Sequence, residues 1–289
     1  MTPLGVVAII GAVASIVAYS QRPRSPRRAA VQFVVSLLSW SLLWYGTASP
    51  FAAQGMMSLP KHMIAHILVM FLVPIGLIAS GTLRSYWWIL RPAPRRRLLT
   101  WWYRERRFHA PKWLFNILSA TIVLNGVMVA SHLPRVFDFV MSRPWMMQWL
   151  VEPAFLVSGL FFFHFIVPSA PRRLRGKARY QLAALFVTLF EMLMLAMSMS
   201  IFTKASWYSV MIYHPGMASM SGMKGTMGMA TTAASAFSQQ REAAGFLWIC
   251  GDAWAIPCLI MVLYRVVKRE GSLLGALERH TSRLSGVAG

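Results

Sequence analysis

Histidine and methionine gather at a few places in this chain, and their spacing limits the chemistry open to them. His62 and His66 stand four residues apart, so on a helix both rings project from one face. Met70 continues that stripe one turn further, Met63 lies beside it, and His132 closes a separate apolar stretch. Two imidazoles at this separation can grip one metal ion, and adjacent thioethers favour a soft cation, Cu(I) above all. The structural alternative is a pair of interfacial histidines bonded to water and loop carbonyls, because an i, i+4 pair arises easily by chance. Imidazole is also a common axial ligand, so a haem stays open.

A second gathering follows His214. Met217, Met220, Met223, Met227 and Met229 place five methionines in thirteen residues, separated by Gly, Ser, Ala, Lys and Thr. Core methionines fill gaps against apolar neighbours, and these spacers offer little of that kind. A flexible chain of thioethers can instead wrap a cuprous ion. Thioethers bind without losing a proton, so such a site survives in an acidic, oxidising compartment. The competing reading is a low-complexity loop resting on a bilayer. Met56 and Met57 add sulfur ahead of the histidine pair, whereas packing is the simpler role for Met192, Met194, Met197 and Met199.

Acidic groups complete the inventory. Glu191 and Asp252 lie inside apolar stretches, where a carboxylate costs about 2.5–3.5 kcal/mol, so each is expected to face the interior of a bundle. Glu152 stands where it can cap a helix N-terminus. His164 reads as a core histidine or as an inner station on a transport path. Asn116, Asn125 and Ser119 read as interhelical hydrogen-bonding groups.

What must position these side chains follows from composition. The 289 residues are 57% hydrophobic yet carry 29 Lys+Arg against 8 Asp+Glu. A soluble domain this apolar would aggregate, and a nucleic-acid binder this basic would carry its charge on the faces of a modest core. Segregation reconciles the two facts, because long uncharged stretches alternate with short basic runs. Stretches at about 3–19, 30–48, 61–81, 113–131, 149–168, 180–203 and 245–267 are each long enough to cross roughly 30 Å of hydrocarbon. The prediction is an all-α polytopic membrane protein: one domain over 1–289 with seven transmembrane helices. Residues 204–244 form an outer Met/Gly-rich loop and 268–289 a cytoplasmic tail.

Lys and Arg in the connections fall 23 to one side and 6 to the other, which puts the N-terminus outside and the C-terminus in the cytoplasm. The first stretch has no basic residue before it and Arg22 and Arg24 after it, the reverse of a signal peptide, so it reads as a retained helix. Trp and Tyr cluster where stretches end, as interfacial belts do. The connection 82–112, with Arg95, Arg96 and Arg97 among aromatics, reads as an amphipathic segment on an anionic inner leaflet. Every basic run sits next to a span, which argues against a nucleic-acid partner. Cys250 and Cys258 share one apolar stretch, so neither a disulfide scaffold nor a cysteine zinc site is indicated. No repeat period and no Walker or Rossmann glycine pattern is present.

The order of motifs resembles a known family. His62-Met63-Ile64-Ala65-His66-Ile67-Leu68 followed by Val73-Pro74-Ile75-Gly76-Leu77 is similar to the third-span signature of the CtaG family, bacterial membrane proteins required to assemble caa-type cytochrome c oxidase. Three segments fall where that family has further motifs: His132 to Asp138, Ser158 to Phe163 and Ala244 to Trp248. The resemblance covers roughly residues 30–267 and rests on the order of short motifs. Two places depart from it. Glu152-Pro153 stands where the resemblance implies a histidine, and Gln239-Gln240-Arg241-Glu242 where it implies an Asp-Gln pair, with Glu242 the candidate replacement acid. The resemblance implies delivery or insertion of copper into the oxidase.

These readings lead to one expectation: a cytochrome c oxidase assembly factor of the bacterial plasma membrane, not an enzyme, that handles Cu(I) on the outer face as a metallochaperone. His214, Met217, Met220, Met223, Met227 and Met229 would capture the ion. His62, His66 and His132 would hold it near the membrane plane, with Met63, Met70, Glu152, Glu191 and Asp252 as further candidates. Expected partners are oxidase subunits, an anionic inner leaflet and an outer-face copper donor. The alternatives are a copper or proton transporter lined by Glu191, Asp252 and His164, a haem-bearing electron carrier, and a metal-free scaffold. A retinal protein is disfavoured, because the seventh stretch has no lysine for a Schiff base.

Overall fold

The computed structural model describes residues 1–21, 26–86, 89, 115–167, 178–208 and 233–270, and the regular structure among them is helical throughout. Helix α1 (Pro3–Ser20) pairs with α2 (Pro26–Ala48), and short α3 (Pro50–Gly55) turns the chain into α4 (Leu59–Ile67). A π turn (Leu68–Leu72) joins α4 to α5 (Val73–Ala79), and α6 (Thr82–Ser85) follows. Next come α7 (Ile117–His132), α8 (Pro134–Met141) and α9 (Pro144–Met146). A second π turn (Met147–Val151) leads into α10 (Glu152–Ile166), which is followed by α11 (Ala178–Ser200) and α12 (Ala233–Glu270). Helix α4 packs against α12, α10 lies against α7 and the first π turn, and α11 lies against α12 and α7.

Among the described residues six helical segments are long and apolar enough to cross a membrane, and a seventh crossing results if the bent pair α7–α8 is one span. The sixteen residues of α7 rise only about 24 Å, short of a roughly 30 Å hydrocarbon core. Its end is set by Pro134, which pushes the preceding Leu133 out of the helical region to φ −62°, ψ 129°, and the chain turns by 74°. Asn116 and Ser119, expected to bond between helices, form a capping box at the start of α7, with Asn116 Oδ1 accepting from the Ser119 N–H at 2.9 Å. Residues 233–244, assigned by hydropathy to a loop, are the first turns of α12.

Both π turns precede a proline. Pro74 has no N–H for the carbonyl of Met70, and the Val73 N–H reaches back five residues to the Leu68 carbonyl instead. Pro153 repeats the arrangement, with the Glu152 N–H bonded to the Met147 carbonyl. Gly159 of α10 fits against the freed Met70 carbonyl: a Cβ there would strike that oxygen and stand 2.8 Å from Pro74 Cγ. Gly76 likewise leaves room for the Ser39 hydroxyl of α2. The glycines of two of the recognised motifs therefore allow backbones to approach closely.

The two acidic groups expected to face the interior behave differently. Glu191 on α11 is half-buried, and its Oε1 is sealed without a hydrogen-bond partner. Asp252 is exposed on the outside of α12, although Gly251, Trp254 and Ala255 beside it are buried. The expectation for Asp252 is therefore corrected. A helix that is apolar on every side carries no amphipathic signal to say which face turns inward.

Candidate metal-handling site

Helix α4 delivers His62 and His66 to the bundle interior, where both are buried with ring centroids 4.0 Å apart. The last residue of α7, His132, approaches from the other side, 6.1 Å from His66 and perpendicular to it. His132 Nδ1 lies 2.7 Å from the Met128 carbonyl, which can only accept, so that nitrogen carries the hydrogen. In the neutral ring the lone pair then sits on Nε2, which faces the Met63 sulfur at 3.2 Å. Two lone-pair atoms facing each other form no hydrogen bond, whereas a soft cation accepts both.

On its other side the histidine pair borders a cavity of about 20 Å³, room for one water or one ion. Met56, Met147 and Glu152 complete its polar and sulfur-bearing lining. His62 Nε2, His66 Nδ1 and Glu152 Oε2 are all buried without a hydrogen-bond partner, and such atoms call for a ligand, since a sealed polar atom left unpaired costs roughly 1–3 kcal/mol. Nitrogen and thioether donors with one carboxylate suit a soft monovalent cation. The fit is incomplete as placed: among the described residues no three of His, Cys, Asp and Glu close on a single metal centre.

The surroundings hold this cluster in place. Tyr208, fully buried, donates to the His132 carbonyl at 3.3 Å, and its ring packs on Phe137, which in turn meets His62 edge-on at 5.4 Å. Burial, and secondarily the charge of Asp138, pushes the Tyr208 hydroxyl well above its ordinary pKa. Gln240 clamps the same segment, donating to the Met199 carbonyl at 2.7 Å and accepting from the Trp207 N–H at 2.6 Å. Deeper in the bundle Phe71 stacks on Trp254 at 4.7 Å and Phe163 meets that indole edge-on at 5.5 Å, all three fully buried. These rings form an aromatic floor beneath the histidines.

The structure thus brings together His62, His66, His132, Met63 and Glu152. Met70 is buried in the π turn, with its carbonyl against Gly159. Glu191 lies elsewhere on α11, half-buried with its Oε1 sealed, and Asp252 is exposed on the outside of α12. His214, Met217, Met220, Met223, Met227 and Met229 lie outside the described residues. Met147 was not singled out by sequence, Tyr208 read only as one of the aromatics at a span end, and Gln240 only as part of a departure from the family pattern. The one available signal for Met147 was Pro153, which marks a break in the helix just ahead of it.

A family model described as cytochrome c oxidase caa3 assembly factor (Caa3_CtaG) matches residues 13–269. No curated protein and no solved structure matches the chain.

Proposed function

Because this chain belongs to the family of cytochrome c oxidase caa3 assembly factors, we propose that it assists oxidase maturation by holding Cu(I) at the histidine end of the bundle. That end faces outward in the plasma membrane, as the distribution of Lys and Arg argues. The observation that carries the reading is the convergence of His62, His66, His132 and Met63 from two helices, with buried ring nitrogens left without partners. His214 and the methionines from Met217 to Met229 gather the ion. The histidine cluster and Met63 hold it, with Glu152, Met56 and Met147 lining the adjoining cavity, and it leaves by ligand exchange to the docked oxidase. No substrate bond is broken, so the role is not enzymatic. The close packing of Phe71, Phe163 and Trp254, all fully buried, supports holding over transport.

A metal-free scaffold is the second reading, favoured by the absence of a ready three-residue metal centre among the described residues. Anaerobic Cu(I) titration of the purified protein against a competing chelator separates the two. His62→Ala combined with His66→Ala is expected to weaken binding by at least about tenfold, and changing the five loop methionines to Leu is expected to lower the stoichiometry. Affinity and stoichiometry that are unchanged in both variants would sink the ligand assignment, and a wild-type protein that binds no Cu(I) leaves the scaffold.

A further inference from the structure

Helix α12 carries an exposed stripe in which Trp248, Ile249, Ile256, Ile260 and Tyr264 recur at helical spacing, each between 47% and 68% exposed. Asp252 lies in the middle of it. The apolar run of α12 is bounded by Glu242 and Arg265, so Asp252 stands about 15 Å from one and about 20 Å from the other along the axis. That is close to the bilayer centre, where lipid tails supply neither a hydrogen-bond donor nor a counter-charge. Polar groups at such depth pair with one another, and this one is turned away from its own bundle.

We propose that this face of α12 docks a transmembrane helix of a different protein, one that carries a single basic side chain at mid-depth to pair with Asp252. Charge decides the occupant. In a symmetric dimer built on this stripe Asp252 would meet its own copy, and two carboxylates in hydrocarbon repel. A helix with one Lys or Arg at that depth meets the opposite need, since its own charge is equally costly until paired. The proposal rests on the assembly reading to the extent that the oxidase under construction supplies such a helix.

The test reconstitutes the full chain in phosphatidylcholine vesicles with a fluorescent leucine–alanine transmembrane peptide about 23 residues long, carrying either a central Arg or a central Leu. Energy transfer to the labelled protein is expected to report at least about tenfold tighter association of the Arg peptide. Asp252→Glu is expected to keep that preference and Asp252→Leu to abolish it. Equal association of the two peptides overturns the proposal, as does a preference that survives Asp252→Leu. Energy transfer between two labelled copies of the chain that is lost in Asp252→Leu overturns it as well, by making a second copy the occupant. The assay contains neither oxidase nor metal, so its failure is distinguishable from a failed Cu(I) titration.

Discussion

His132 divides its two ring nitrogens between structure and chemistry. Nδ1 is spent on the Met128 carbonyl, which fixes the ring and its tautomer, while Nε2 is turned to the Met63 sulfur. The backbone of the same residue is tied by the Tyr208 hydroxyl. Tyr208 has its pKa raised in the fold above the ordinary value of 10.0, so the bond persists while the unfolded chain begins to ionise. The linkage follows directly: this contribution to stability is complete below pH 10 and is lost as pH rises beyond it. Tyr208→Phe is therefore expected to lower stability by about 0.5–1.5 kcal/mol at neutral pH and to flatten the alkaline loss, read as thermal midpoints in detergent between pH 8 and 11. A variant with the same alkaline slope as wild type refutes it. The histidine pair, His132 and Met63 were legible in the sequence because spacing and span ends place them at one end of the bundle. Glu152 was legible only in part: it stood among the further metal candidates, but its position read as a helix cap and as a departure from the family pattern. The π turn ahead of it explains why: one extra residue in a turn rotates everything beyond it by about 100°, so a face projected along a regular helix misses the cavity.

At the scale of elements, close approach matters more than composition. Helix α10 can touch the first π turn only because Gly159 has no side chain. Gly159→Ala is expected to force α10 off the Met70 carbonyl and destabilise the fold by about 1–3 kcal/mol. Gly126→Ala is the matched control, since a Cβ at that helical position meets nothing within 4 Å and should be neutral or mildly stabilising. Thermal unfolding of the two variants checks this, and equal midpoints would show that the contact carries no energy. The bend after His132 could be read from Leu133-Pro134, because the residue before proline leaves the helical region. The π turns could not, since Pro74 and Pro153 mark a break without saying how the carbonyls rearrange.

For the whole molecule, the all-helical class and the membrane setting follow from segregated charge and apolar runs, which are strong signals. The predicted seven crossings are six long apolar helices among the described residues, and a seventh only if the bent α7–α8 pair is one span. Which way each apolar helix faces is a weak signal, and Asp252 illustrates it: α12 is apolar on both its buried and its lipid-facing sides. Oxidase isolated from a strain lacking this protein is expected to contain less copper. Complementation with wild type should restore it, and complementation with His62→Ala combined with His66→Ala should not. Full copper content in the complemented double variant would assign the assembly role to something other than the histidines.

The aromatic floor of Phe71, Phe163 and Trp254 also has an electrical meaning. Moving one charge through the full membrane potential involves about 2.3 kcal/mol per 100 mV. A cation that enters and leaves by the same mouth, above three packed rings, traverses only a small part of that drop. If the protein holds Cu(I) as proposed, loading and release would be nearly silent to the membrane voltage, and maturation of the oxidase would proceed whether the respiratory potential rises or collapses.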